Sequence, residues 1–139
     1  MKFPKISFGK EWSDLKKFEN LSDFERSIVF YAENEASMNH FRTLIFELTE
    51  RMNFQICYIT SVKNDQILSS KNKNILSFYI GEGAARTKFF LTLRAKILVM
   101  DMPDLVRYHI KRSKAYPIHY IYLFHSMFSI HSYLRKGAL

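Results

Sequence analysis

Cysteine is almost absent from this sequence, which contains only Cys57. With a single thiol the chain cannot form an internal disulfide, and a zinc site built on several thiolates is excluded. Cys57 itself lies inside the apolar run of residues 55–60, which is typical of a buried strand. A reducing compartment is therefore expected, and the predicted location is cytoplasmic.

Long apolar runs are also missing. Residues 1–10 mix lysines with single apolar residues and lack the apolar core of about 7 to 15 residues that a signal peptide requires. No stretch approaches the roughly 18 uncharged apolar residues that cross a bilayer. The sequence therefore predicts neither a signal peptide nor a membrane-spanning helix.

Acidic residues are fewer than basic ones: the sequence contains 13 Asp and Glu and 21 Lys and Arg, which gives a net charge of +8. Such a balance favours an anionic partner, either nucleic acid, phospholipid headgroups or a phosphorylated substrate, although surplus lysines also simply keep a domain soluble. The densest basic stretch, residues 107–119, precedes an apolar strand instead of forming a tail. No nucleic-acid partner is predicted, since the aromatic residues mostly fall in strand-like runs and no nucleic-acid motif is present.

Apolar runs and helical periodicity alternate along the chain. A length of 139 residues fits one domain, and 47% hydrophobic content is enough for a core. The alternation predicts an α/β fold, Rossmann-like, with about five mostly parallel strands and helices on both faces. The predicted domain covers residues 27–139, after an amino-terminal extension of residues 1–26 with a short helix near residues 11–18. The predicted strands are residues 27–32, 54–60, 75–80, 95–100 and 119–124, and the predicted helices are residues 37–51, 82–94, 104–112 and 125–135.

In sheets of this kind ligands bind beyond the carboxyl ends of the strands. The residues that follow the predicted strands are therefore the candidate site. They are Glu33, Asn34 and Glu35, then Ser61, then Gly81, Glu82 and Gly83, then Asp101 to Asp104, and finally His125 with Ser126.

The Gly81-Glu82-Gly83 segment lies between a strand and a helix, where backbone N–H groups at a helix start can hold a phosphate. The third glycine of the dinucleotide-binding pattern is absent, because Arg86 occupies its position, and no Lys-Ser or Lys-Thr follows. A tight turn without a ligand explains the glycines equally well. Arg86 in the first helical turn favours an anion.

His125 follows an apolar strand, so its imidazole is placed to face a ligand, and its ordinary pKa near ~6.5 suits proton transfer at neutral pH. A structural or merely exposed histidine is the alternative. His131 is a weaker candidate, while His40 and His109 are interpreted as residues on helix faces.

Asp101 and Asp104 flank Pro103 at a predicted strand-to-helix turn. Capping of the following helix explains them sufficiently. Binding of a hydroxyl group or of a metal is the alternative, and no metal site is predicted.

Four segments in order, each ending a predicted strand or opening the next helix, resemble one known family. They are residues 28–34 (IVFYAEN), 78–87 (FYIGEGAART), 102–113 (MPDLVRYHIKRS) and 120–126 (YIYLFHS). Together they resemble the amino-terminal half of CDP-glycerol glycerophosphotransferase-like proteins, and the resemblance runs from about Ser27 to the end.

This resemblance implies a two-domain, glycosyltransferase-B-like enzyme that moves glycerol phosphate from CDP-glycerol to a cell-wall or surface polymer, as in teichoic acid synthesis. His125 matches the family's proposed base, and Ser126 stands where members often have glycine. The substrate-binding residues expected around it are Glu33, Asn34, Gly81, Gly83, Arg86, Asp104 and Ser126.

The family's donor-binding half would follow the last helix, whereas this sequence ends at Leu139. The resemblance therefore implies a half-length or truncated, acceptor-side transferase domain, incomplete as an enzyme without the donor half and requiring no cofactor. Its partners would be a nucleotide-activated donor and a membrane-attached acceptor, with peripheral contact at the inner face of the membrane. The alternative is a non-catalytic basic module that binds a membrane surface or an anionic polymer.

Overall fold

Five parallel strands form the centre of the protein in the computed structural model, which describes residues 9–101 and 117–123. The strands are β1 (Ile28–Ala32), β2 (Ile56–Thr60), β3 (Ile75–Tyr79), β4 (Ile97–Met100) and β5 (His119–Tyr122). They lie in the order β3-β2-β1-β4-β5, and every neighbouring pair is parallel. The predicted α/β, Rossmann-like class is confirmed.

Helices cover both faces of this sheet, so strand residues are buried whichever way they point. Val29 and Tyr31 of β1 pack in the layer that contains α1 (Gly9–Glu19) and α3 (Ala84–Thr92). Phe30 of β1 packs on the opposite face against α2 (Ser37–Phe46). Burial on both faces is why the strand sequences are continuously apolar instead of alternating with polar residues.

The amino-terminal stretch contributes α1 to the core of the domain. Leu15 and Phe18 are almost fully buried. The ring of Phe18 contacts those of Phe78 on β3 and Phe89 on α3, with centroids 5.7 and 5.5 Å apart. Edge-on packing, as between Phe18 and Phe78, stabilises more than its buried area alone. The predicted helix near residues 11–18 therefore forms and closes one face of the sheet.

The helix predicted over residues 37–51 is regular only in its first part. After α2 the chain continues as a π-helical turn, Glu47–Arg51, in which the Thr49 hydroxyl donates to the carbonyl of Ile45 at 2.7 Å. Hydroxyl groups that bond back to the preceding turn disturb regular helix geometry. Asn53 then adopts a left-handed φ of 57°, which ends the helix as the sequence predicts.

Several predicted boundaries shift by one or two residues. The N–H of Phe54 donates to the carbonyl of Leu48 at the helix end, so β2 begins at Ile56 and not at residue 54. The helix predicted from residue 82 begins at Ala84, with Gly83 as its N-cap. The helices predicted at residues 104–112 and 125–135 lie outside the described residues. Within the described ranges, no helix is long and apolar enough to cross a membrane.

Candidate functional site

Four strands deliver polar groups to one edge of the sheet. Tyr31 is aligned with Ile59 on β2 and with Met100 on β4, and Thr60 is aligned with Tyr79 on β3. The residues that follow these positions therefore meet at the carboxyl edge. They are Glu33 after β1, Ser61 after β2, Gly81 after β3 and Asp101 after β4.

The strand order also marks the part of this edge where a ligand cleft is expected, and that part is called the cleft below. From β1 the chain builds outward through β2 to β3, and then returns to place β4 on the other side of β1. The strand order reverses between β1 and β4, and such switch points are where open α/β sheets bind ligands. The candidate site therefore lies around Glu33 and Asp101.

A buried chain of hydrogen bonds joins three strand ends behind this cleft. The Ser61 hydroxyl donates to the carbonyl of Gly81 at 2.6 Å, so the hydroxyl of Tyr31, 2.7 Å away, donates to Ser61. Nη1 of Arg86 donates to the Tyr31 oxygen over a long 3.5 Å. Burial raises the pKa of Tyr31, so this hydroxyl keeps its proton at neutral pH.

Arg86 is a buried cation in the first turn of α3, with 8% of its surface exposed. Nη2 donates to the carbonyl of Glu82 at 3.0 Å, which holds the guanidinium over the Gly81–Gly83 turn. Nε has no hydrogen-bond partner among the described residues. A buried guanidinium with unused donor capacity is costly unless an anion or water completes it.

The start of α3 offers further donors beside Arg86. Its N-cap is Gly83, which provides no side chain to accept from the first free N–H groups. A Cβ added at Gly83 would meet nothing within 4 Å, so there is open space beside this N-cap residue. Uncapped helix N-termini attract phosphate and carboxylate groups.

Gly81 has a structural requirement of its own. Its φ of +65° is in the left-handed region, and an added Cβ would lie 2.6 Å from Cδ of Glu11 on α1. Glycine is needed here for conformation and close approach. The tight-turn explanation therefore accounts for Gly81, whereas it does not account for the open surface at Gly83.

The carboxyl group of Glu33 lies within electrostatic range of Arg86, Asp101 and Glu82. Burial raises its pKa, the nearby Arg86 guanidinium lowers it, and the carboxylates of Asp101 and Glu82 raise it further. The net direction is upward. The edge thus combines one buried cation with several carboxylates.

His40 belongs to this edge, which corrects its interpretation as a plain helix-face residue. Nδ1 of His40 lies 2.8 Å from Oδ2 of Asp101, and the Ser37 hydroxyl donates to Oδ1 of the same carboxylate at 3.2 Å. Asp101 is 7% exposed, so this carboxylate is held between the start of α2 and the end of β4. Neither the capping nor the metal interpretation of Asp101 anticipated this pairing.

The remaining predicted site residues separate into two groups. Asn34 holds the turn after β1, because its side-chain oxygen accepts from the N–H of Ala36 at 2.9 Å. His125, Ser126 and Asp104 lie outside the described residues. Glu33, Gly81, Gly83 and Arg86 are brought together at the carboxyl edge.

A polar groove of about 590 Å³ lies next to this edge, between α2 and the loop that follows β2. Asn39 and Arg42 of α2 form one wall, and Asn64 and Gln66 lie on the other. The Asp65 carboxylate stabilises the loop after β2, because it accepts hydrogen bonds from the Thr60 hydroxyl at 2.8 Å and from the N–H of Ile67 at 3.1 Å. The groove supplies exposed hydrogen-bonding groups without a buried charge.

Over residues 9–101 and 117–123, no three histidine, cysteine or acidic side chains are grouped so as to hold a metal ion. No family model, curated protein or solved structure matches this chain.

The described part of the cleft has two chemically different poles. The cationic pole consists of the start of α3 and Arg86, which suit a phosphate. The acidic pole consists of Glu33, Asp101 and His40, which suit hydroxyl groups that donate hydrogen bonds. A ligand with a phosphate at one end and hydroxyls at the other complements both poles.

Proposed function

We propose that this chain is the acceptor-side domain of a transferase that moves glycerol phosphate from CDP-glycerol to a membrane-attached polymer. The observation that carries the proposal is the buried guanidinium of Arg86, which donates to the Tyr31 hydroxyl of β1 at the carboxyl edge and lies within electrostatic range of Glu33. The ordered resemblance of four segments to glycerophosphotransferase-like proteins supports the same reaction.

The end of a growing glycerol phosphate polymer carries a phosphodiester and free hydroxyls a few bonds apart. The phosphate would bind the N–H groups at the start of α3 and the guanidinium of Arg86. The terminal hydroxyls would donate to the carboxylates of the acidic pole, which orients one oxygen for attack on the donor phosphorus. On the basis of the resemblance, His125 is the proposed base, and the CDP-glycerol site belongs to a second half.

Arg86→Met is expected to weaken binding of sn-glycerol 3-phosphate about tenfold or more, because charge-assisted hydrogen bonds contribute roughly 1.5–3 kcal/mol. Binding is measured by ¹H–¹⁵N NMR, following the amides of residues 84–86 and the Nε–Hε signal of Arg86. Inorganic phosphate should move the same amides at higher concentration, and glycerol should not.

Two variants make this measurement specific. Arg42→Met removes an exposed arginine from the neighbouring groove and should leave binding unchanged. Gly83→Ser supplies a capping hydroxyl that competes for the first N–H groups of α3, so it should weaken binding while the melting temperature is maintained. Equal affinity in wild type and Arg86→Met would exclude the cationic pole as the phosphate site.

The transfer itself is tested with radiolabelled CDP-glycerol and a lipid-linked glycerol phosphate acceptor. The assay is run on this chain and on any longer product of its reading frame, since the proposal assigns the donor site to a separate half. Acceptor-dependent incorporation of label, reduced in Arg86→Met, is the expected result. Absence of incorporation by every product that contains this domain would refute the transferase proposal.

Membrane adsorption is a second candidate function, favoured by exposed apolar side chains where strands begin. Phe24 before β1 is 82% exposed, and Met52 and Phe54 before β2 are 54% and 45% exposed. Exposed Lys96 at the start of β4 adds positive charge at the same edge. Aromatic residues beside basic ones are typical of surfaces that contact anionic lipids.

Adsorption to liposomes of anionic lipid is expected at low salt and should fall strongly at about 0.5 M salt, where the screening length is only a few Å. Phe24→Ser with Phe54→Ser should reduce sedimentation, whereas Leu91→Ser, which removes an exposed apolar side chain from α3, should not. If sedimentation with liposomes is unchanged in the double variant, or falls equally in the double variant and in Leu91→Ser, membrane adsorption through these side chains is contradicted.

A further inference from the structure

The exposed face of α2 forms one wall of the polar groove beside the carboxyl edge. Phe41 and Ile45 bury another face of this helix against the sheet. Asn39 and Arg42, three residues apart, are neighbours on the exposed face, and both line the groove of about 590 Å³. Half-buried Met38 lines the groove as well. A cavity of this size is large enough for one small ligand.

The opposite wall is a loop that is held in place by its own hydrogen bonds. The Asp65 carboxylate accepts from the Thr60 hydroxyl and from the N–H of Ile67. The Thr60 oxygen in turn accepts from the N–H of Val62 at 3.0 Å. The chain then forms a short 3₁₀ turn, Gln66–Ser69, from which Ile67 packs against the core. Because both walls are ordered without a ligand, binding requires little rearrangement of the groove.

Three carboxamide side chains line this groove with their hydrogen-bonding groups unused. They are Asn39 on α2, and Asn64 and Gln66 on the loop. All three residues are exposed, and their side chains make no hydrogen bond within residues 9–101 and 117–123. Each carboxamide provides two N–H donors and one carbonyl acceptor. The groove therefore offers donors and acceptors from both of its walls.

The charges that line the groove disfavour an anionic ligand. Two carboxylates, those of Glu35 and Asp65, are present among the described lining residues, whereas Arg42 is the one cation there. A phosphate in this groove would lie beside more negative than positive charge. The groove thus differs from the start of α3, and a neutral polar ligand suits it better.

The distribution of polar groups distinguishes between neutral ligands. A nucleobase presents two apolar faces, which usually stack on aromatic side chains. None of the described residues that line the groove is aromatic, and both walls carry carboxamides. A sugar ring carries hydroxyl groups around its rim, and each hydroxyl both donates and accepts, as carboxamides do. Its C–H surface packs on apolar side chains, which Met38, Val62 and Ile67 provide.

We infer that this groove binds a neutral sugar unit. The sugar hydroxyls bond to the three carboxamides, and the C–H surface of the ring packs on the three apolar side chains. This site is separate from the phosphate site proposed at Arg86, and the inference does not depend on the proposed transfer reaction. A single glycoside and a unit within a polysaccharide present the same chemistry to the groove.

The inference is tested on the full chain with the methyl α-glycosides of glucose, galactose and mannose. ¹H–¹⁵N NMR follows the side-chain NH₂ signals of Asn39, Asn64 and Gln66. At least one glycoside should shift all three signals with a millimolar dissociation constant, because a neutral hydrogen bond adds little net affinity. A trisaccharide of the same sugar is then compared. Tighter binding of the trisaccharide identifies the ligand as part of a polysaccharide, and equal affinity identifies a single sugar unit.

Variants of the loop wall connect this binding to the carboxamides. Asn64→Ala and Gln66→Ala should each weaken binding of the glycoside about two- to tenfold. Both residues are exposed, so the melting temperature should not change. Asn20→Ala is the matched control, because it removes an exposed carboxamide that follows α1, on the opposite face of the sheet. Arg86→Met should weaken binding of sn-glycerol 3-phosphate and leave binding of the glycoside unchanged, so the two sites succeed or fail separately.

Two kinds of result would overturn the inference. One is the absence of any shift of the three NH₂ signals with every glycoside, or an equal affinity in wild type and both loop variants. The other is a larger shift of these signals with cytidine or with inorganic phosphate than with any glycoside, since the groove would then bind a nucleobase or an anion.

Discussion

Replacing Asp14 with alanine is expected to lower the free energy of unfolding by about 2–4 kcal/mol. Oδ2 of Asp14 accepts from the backbone N–H of Tyr79 at 2.9 Å. β3 is an edge strand of the sheet, so this carboxylate takes the place of a neighbouring strand for one N–H group. Because Asp14 is only 5% exposed, alanine would leave that N–H without a partner in a poorly solvated position. The same bond fixes α1 on the sheet.

Urea denaturation of wild type and variants measures this effect. Lys10→Ala removes the other partner of Asp14, an ion pair of 3.0 Å whose lysine is 61% exposed, and should cost no more than about 0.5 kcal/mol. Asp14→Asn keeps an acceptor oxygen and should lie between the two. Equal losses for Lys10→Ala and Asp14→Ala would mean that the ion pair, and not the edge-strand bond, carries the stabilisation.

Gly81→Ala is expected to lower the free energy of unfolding by about 1–3 kcal/mol. The left-handed backbone at Gly81 costs an alanine roughly 1 kcal/mol or more. The new Cβ would in addition lie 2.6 Å from Cδ of Glu11, so the Glu11 side chain must move. Thermal denaturation followed by circular dichroism measures the loss.

A double-mutant cycle separates the two causes of this loss. Glu11→Ala combined with Gly81→Ala should recover the steric part and leave the backbone part of about 1 kcal/mol. Gly83→Ser, two residues away with no atom within 4 Å of the new Cβ, should change stability by no more than about 0.5 kcal/mol. A loss at Gly83 as large as that at Gly81 would show that the whole turn, and not Gly81 alone, requires glycine.

The environment of Glu33 makes the stability of the folded protein depend on pH. Its raised pKa means that the folded state binds a proton more readily than the unfolded chain. Stability contributed by this group is therefore full below the unfolded pKa and decreases as pH rises through the folded value. An acidic group held in an unfavourable environment beside a buried arginine is typical of a ligand site.

Some of the candidate site was predictable because it follows from chain order alone. A run such as residues 28–32 is apolar throughout, and polar residues follow it directly, so Glu33 falls at a strand end whatever the strand order is. The same holds for Gly81 and Gly83. Arg86 was predictable from its place in the first turn of the next helix, and α3 brings it to the same edge.

Other parts of the site depend on which strands are neighbours. Nothing in the local sequence distinguishes His40 from any other polar residue of an amphipathic helix. Its partner Asp101 is 61 residues away and is brought close only because β4 pairs with β1. The hydrogen bonds that join Tyr31, Ser61 and Gly81 likewise require β1, β2 and β3 to be adjacent.

By itself, then, the sequence determined the α/β class, the sites of its strands and of α1, α2 and α3, and the edge at which polar residues gather. These follow from local periodicity, turn chemistry and the burial of strands on both faces. The tertiary structure decided the strand order β3-β2-β1-β4-β5, the edge contact of Asp14 and the pairing of His40 with Asp101. Such contacts join residues that are distant in the chain, and their partners are chosen by packing across the whole sheet.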